Sequence, residues 1–159
     1  MCTQIFFGRW NLVLESEARC QVERADYDMN NKESSKELLE EAKLILRKDI
    51  ASAEEAGNYR LMVRRSQEVV ELITKAFIKA AGYEYPKVHD PAPLLTKICR
   101  EKGIDLASTS LQRIQNISSS LAEERAPAFY AERSYSADEA QEARKNAEFV
   151  YKTLASLIE

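Results

Sequence analysis

The chain has 159 residues, 26 acidic against 23 basic side chains, and is 45% hydrophobic and 31% charged. That length suits one domain around one core. A net charge of -3 excludes a generally basic surface of the kind that coats nucleic acid, though not a local groove of Arg and Lys.

Only four Gly and four Pro interrupt the sequence, which favours long helices over a turn-rich all-β fold. Cys2, Cys20 and Cys99 are odd in number and widely spaced. They form neither a disulfide framework nor paired zinc ligands, so a reducing cytoplasm is expected. No apolar run approaches the roughly 20 residues of a membrane span. Ile5-Phe6-Phe7, cut short by Gly8-Arg9, is too brief for a signal peptide.

Residues 1–31 read as an N-terminal extension, flexible or weakly ordered, and residues 32–159 as the helical domain. Within the extension, Gln4 to Leu14 has some strand character, but a lone strand has no sheet to join. Residues 1–28 are either a flexible arm or a stretch upstream of a true start at Met29. Ser34 with Glu37 forms a capping box for a first helix, which carries Leu38, Ala42, Ile45, Leu46, Ile50 and Ala53 on one face and closes at Gly57. Asn58 caps a second helix bearing Leu61, Met62, Val69, Leu72, Ile73, Ala76 and Phe77, stopped by Gly82. After a loop over Tyr83 to His89, Asp90 and Pro91 read as the cap and first residue of a short third helix, which holds Leu94, Leu95 and Ile98 and ends at Gly103. Asp105 caps a fourth with Leu106, Leu111, Ile114, Ile117 and Leu121. Its serines lower helix propensity, Ala126-Pro127 breaks it, and Phe129-Tyr130 folds back as an apolar turn. Ser136 with Glu139 opens a last helix with Ala140, Ala143, Ala147, Val150, Leu154 and Ile158. The expectation is an all-α fold of five helices, four of them an up-and-down bundle and one a short extra.

The second helix reads Gln67-Glu68-Val69-Val70-Glu71-Leu72-Ile73-Thr74-Lys75-Ala76-Phe77, followed by Gly82, His89-Asp90 and Leu94-Leu95. This order resembles the HEPN family (higher eukaryotes and prokaryotes nucleotide-binding), in which a QxxxExxxKAxL helix leads through a glycine to HD and LL. Tyr130 to Tyr135 is similar to the family's Y…RYP turn, although Arg133-Ser134-Tyr135 departs from it. The resemblance covers residues 35 to 158. It implies a small helical bundle, usually a homodimer, associated with nucleotide binding, with RNA cleavage in toxin branches, or with partnership beside a minimal nucleotidyltransferase. The cleaving branch carries an Arg, about four to six intervening residues, and then a His whose imidazole moves the 2′-hydroxyl proton. Here the one histidine, His89, follows no such Arg.

Each candidate has two readings. His89 either lines a ligand groove or braces the loop before Asp90-Pro91; a single His without a Cys or second His nearby is not a metal site. Arg64, Glu68, Glu71 and Lys75 share a helix face, either solvated or forming a groove wall or dimer face, with Glu71 and Lys75 in the favourable i,i+4 order. Tyr130, Arg133 and Tyr135 either pack ordinarily or grip a phosphate and stack a base near the last helix's exposed N–H groups. Tyr83 and Tyr85 read as an apolar plug with wet hydroxyl tips, and Cys99 as a small buried apolar residue. The expected ligand set is Lys75, His89, Tyr130, Arg133 and Tyr135, with the His89 loop and the Arg133 turn as neighbours on one rim. No cofactor, metal or catalytic residue is expected. The preferred function is a non-catalytic HEPN-type protein that binds a nucleotide or RNA and pairs with a minimal nucleotidyltransferase, in a toxin–antitoxin-like setting. A pure interaction module and a metal-independent ribonuclease are the alternatives.

Overall fold

The computed structural model describes residues 29–158, and every regular element in them is helical. The expected strand and arm within residues 1–28 lie outside the described residues. Helix α1 covers residues 29–55 and includes a π-helical turn, Ile45–Asp49. Then come α2 (Tyr59–Ala80), α3 (Leu94–Lys102), α4 (Ser108–Tyr130) and α5 (Ala137–Ile158). These are the expected five helices, with α3 as the short one.

Helix α2 is the centre. Met62, Val69, Val70, Ile73, Ala76, Phe77 and Ile78 are all buried, too wide an arc for a helix covered on one side only. Helices α5, α4 and α1 all pack on it. On α5 the facing residues Ala140, Ala143 and Ala147 are buried and small, which lets two backbones approach closely. Asn58 caps α2 by accepting from the Leu61 N–H at 3.1 Å, and Gly57 just before it takes a left-handed φ of 62°, as a helix-ending glycine does.

Four boundaries differ from expectation, each for a physical reason. Helix α1 is already formed at residue 29, so Ser34 lies inside it instead of capping it. Its buried face continues upstream through polar residues: Ser35 donates to the Ala76 carbonyl at 2.8 Å, and Asn31 accepts from Lys79 at 3.0 Å. Helix α3 starts at Leu94, not Pro91. Pro93 disfavours helical geometry at Ala92, so Pro91 and Ala92 form a turn that accepts from Leu94 and Leu95. Asp90 instead accepts from Ser118 Oγ at 2.6 Å. Helix α4 starts at Ser108 with no side-chain cap, because Ile104 and Leu106 pack on the core and carry the chain past Asp105. Finally, α4 runs through Pro127 to Tyr130. The proline removes one N–H without ending the helix, and Arg60 of α2 serves the carbonyls of the last turn, those of Ala128 and Phe129, at 3.2 and 3.4 Å. Ala131, left-handed at φ 58°, then ends the helix. The apolar turn expected at Phe129-Tyr130 is therefore an exposed last helical turn.

The π-turn in α1 corrects a register. Ile45 and Ile50 are both buried, and the Ile50 N–H bonds to the Ile45 carbonyl. The extra residue turns Asp49 out of the core, where it faces Arg65 Nε at 3.3 Å as an ion pair without hydrogen-bond alignment. The Ser136–Glu139 capping box forms as expected: the Ser136 N–H donates to Glu139 at 2.8 Å and the Glu139 N–H to Ser136 Oγ at 3.2 Å. Cys99 is buried, and burial raises its thiol pKa.

Candidate functional site

Spacings of three and four residues place Arg60, Arg64, Gln67, Glu68, Glu71 and Lys75 along one side of α2. At the middle of this strip Glu71 accepts from Lys75 at 2.6 Å and from Gln67 at 2.9 Å, and lies 3.0 Å from His89 Nδ1. Burial alone would raise the Glu71 pKa, but hydrogen bonds from Lys75, Gln67 and His89 outweigh it and hold the carboxyl below the ordinary value. An ionised Glu71 favours a proton on His89 Nδ1, which then donates to the carboxylate. Gln67 also donates to the His89 carbonyl at 3.4 Å, so both ends of the His89 residue are tied to α2. Lys75 lies over the Tyr85 ring, its ammonium 5.2 Å from the centroid. Tyr83, the other half of the expected plug, donates its hydroxyl to Glu101 at 2.6 Å.

Below His89, α2 and the end of α4 enclose a small cleft of about 140 Å³ lined by Arg64, Gln67, Glu68, Glu71, Leu72, Arg125 and Phe129. The two carboxylates in it are already matched. Glu68 takes Arg65 at 2.6 Å, and Glu71 takes Lys75 and His89. The two guanidiniums are not: among the described residues neither Arg64 nor Arg125 has a carboxylate partner, and Arg64 lies over the Phe129 ring at 4.3 Å. Phe129 is 45% exposed, and Tyr130, 69% exposed, meets it edge-on with ring centroids 4.9 Å apart.

Arg133 and Tyr135 belong elsewhere. Arg133 is paired with both Glu124 and Glu139, and Tyr135 donates to Glu124 at 2.6 Å. Burial first, and the Glu124 carboxylate second, push the Tyr135 phenol well above its usual range. Both residues line a separate groove of about 490 Å³ between α4 and α5. The structure thus gathers Arg64, Glu68, Glu71, Lys75 and His89 on one strip, with Tyr130 at its margin. No hydrogen bond, ion pair or shared cleft joins that strip to Arg133 and Tyr135 among the described residues.

Three residues of the strip escaped the sequence reading: Arg125, Phe129 and Arg60. Arg125 and Phe129 are an i,i+4 pair, visible as such only if the helix is allowed through Pro127. Among the described residues no three His, Cys, Asp or Glu side chains converge as for a metal ion, and no helix is long and apolar enough to cross a membrane.

A central helix buried on several sides, three other helices packed on it, and a Gln-Glu-Lys strip tied to a His-Asp loop define a helical-bundle domain with a polar groove on its rim. The HEPN domain model matches residues 35–157, and the chain belongs to the HEPN domain family. No curated protein and no solved structure matches it significantly.

Proposed function

We propose that this protein is a non-catalytic HEPN-type helper that binds RNA across the strip formed by Arg64, Lys75, His89, Arg125, Phe129 and Tyr130. Its protein partner in this reading is a minimal nucleotidyltransferase, in a toxin–antitoxin-like setting, with the bundle itself a homodimer. The carrying observation is the pair of guanidiniums, Arg64 and Arg125, without carboxylate partners among the described residues and beside two exposed aromatic rings. Guanidiniums neutralise phosphates, and aromatic faces stack bases regardless of sequence. At about 140 Å³ the cleft is smaller than the roughly 300 Å³ of ordinary small-molecule pockets, which favours a polymer lying across it over an engulfed nucleotide. The absence of an Arg shortly before His89, and the engagement of that imidazole by Glu71, support the non-catalytic part. Arg133 and Tyr135, having their own partners in another groove, are left out of the ligand set.

The test is fluorescence anisotropy with a labelled single-stranded RNA, with ATP titrated in parallel. The expected result is saturable RNA binding, weakened about tenfold or more in the Arg64→Ala, Arg125→Ala double variant and steeply dependent on salt. Equal affinity in the wild type and the double variant sinks the assignment of the site. Cleavage of the RNA in EDTA that vanishes in His89→Ala would replace the non-catalytic reading with a ribonuclease.

A further inference from the structure

The groove between α4 and α5 is not used by the proposed RNA site. Both helices pack chiefly on α2 and touch each other little, so a trough opens between them with Val63 of α2 at its base. Ile117 and Leu121 of α4 and Ala143 of α5 complete an apolar floor, each retaining a few per cent of exposure. On α4 the lining residues Ile117, Ser120, Leu121 and Glu124 are spaced three, four and seven apart, a straight face about 10 Å long at 1.5 Å per residue. The rim is acidic. Glu124, Asp138, Glu139 and Glu142 surround it against one guanidinium, Arg133, which is already held by Glu124 and Glu139. Asp138 and Glu142 have no ion-pair partner among the described residues.

From this geometry we infer that the α4–α5 groove is a docking surface for a cationic amphipathic helix of a partner protein. About two helical turns fit its length. Apolar side chains of the incoming helix cover Val63, Ile117, Leu121 and Ala143, as in other helix-in-groove contacts. Lys or Arg side chains on its flanks lay their methylene stems along the walls and reach Asp138 and Glu142 with their charged ends. Charge complementarity selects this occupant: an acidic or RNA-like ligand would meet the uncompensated carboxylates and be repelled.

The probe is a labelled, amidated synthetic helix of Leu and Lys placed at helical spacing, followed by fluorescence anisotropy against the full chain. A peptide of identical composition, reordered so that its Leu residues share no helix face, is the control. Two exposed positions supply the variants: Glu142→Lys reverses a rim charge, and Ser120→Trp fills the trough without changing charge. Circular dichroism and thermal melts check that both fold. The expected outcome is saturable binding of the patterned peptide, weaker by about tenfold or more for the reordered peptide and for each variant. Three outcomes overturn the inference. The first is the absence of saturable binding. The second is loss of binding in Glu142→Lys but not in Ser120→Trp, which reduces the effect to surface charge. The third is a dimer by light scattering that Ser120→Trp dissociates, which assigns the groove to a second copy of this chain.

Discussion

Glu124 and Arg125 are neighbours in α4 and face different openings. On the Arg125 side the acids are spent: Glu68 and Glu71 are matched to Arg65, Lys75 and His89, and among the described residues the guanidiniums of the cleft have no carboxylate partner. On the Glu124 side the cation is spent: Arg133 is held by two carboxylates, and among the described residues Asp138 and Glu142 of the groove have no ion-pair partner. Neither charge balance is visible in a net charge of -3 for the whole chain. What a surface offers a ligand is the charge that remains after internal pairing, and one helix can offer opposite signs on its two sides.

If the acids of the α2 strip are occupied in holding its cations, removing one should harm the fold, whereas removing a free rim acid should not. Lys75 and Glu71 are each less than one-sixth exposed, at 13% and 14% of their side chains. Glu71→Ala strands the ammonium and the His89 loop, and a loss of about 2 kcal/mol is expected, below the full figure for a buried pair because both retain some water contact. Urea unfolding measures it, with Glu142→Ala, at an exposed position, expected to leave the midpoint in place. The pH dependence has a definite sign. The Glu71 carboxyl is held below its ordinary pKa, so its contribution is complete above the normal glutamate range and is lost as pH falls through that range to the lowered value. The Glu71→Ala variant should therefore lose less stability under acid than the wild type does. Equal losses would mean that Glu71 is not part of what holds the strip together.

The next comparison concerns binding alone. Phe129→Ala takes away a half-exposed ring, so the fold should barely respond, but RNA affinity should fall about tenfold if a base stacks there. Arg125→Ala should instead lower the dependence of log affinity on log salt by about 0.7 for each single-strand phosphate that is no longer neutralised. A Phe129→Ala protein that binds RNA as tightly as the wild type would remove stacking from the site.

The helical order, the buried faces of α2 and α5, and the Ser136–Glu139 box were legible because they depend on contacts within one helix or on apolar periodicity. So was the Glu71–Lys75 pair. What escaped rested on contacts between distant segments. The start of α1 is masked in sequence because Asn31 and Ser35 are polar yet buried, the Asn31 Oδ1 accepting from Lys79 and the Ser35 hydroxyl donating to the Ala76 carbonyl. The turn of α4 beyond Pro127 is served by Arg60, far away in sequence, which reaches the carbonyls of Ala128 and Phe129. That single boundary concealed Arg125 and Phe129 as a pair, and with them half of the cleft. Closure of the amphipathic segments into one bundle was expected to set His89 and Arg133 on one rim, and the α4 end explains why they part. Ala131 turns the chain so that Arg133 reaches Glu124 and Glu139 on the α5 side.

A smaller effect tests whether that turn is held locally. Ser136→Ala deletes one half of the capping box, and a loss of about 1 kcal/mol in chemical denaturation is expected from the orphaned Glu139 N–H. Ser136 lines neither opening, so the affinities for RNA and for the patterned peptide should both stay close to those of the wild type, and a fall in either would show that the box also positions that opening.

The smallest expected effect is also the sharpest discriminator. Arg133 is nearly half exposed at 46% of its side chain, and ion pairs of that kind contribute little to stability, so Arg133→Ala should melt close to the wild type. If the two openings differ in the charge they leave free, its binding changes should have opposite meanings. RNA affinity should stay within about twofold, because Arg133 does not line the Arg125 cleft. Affinity for the cationic peptide should rise modestly, because Glu124 and Glu139 are released to face the groove. A clear loss of RNA binding in Arg133→Ala would reunite the turn with the His89 strip and overturn the division of α4 into two sides.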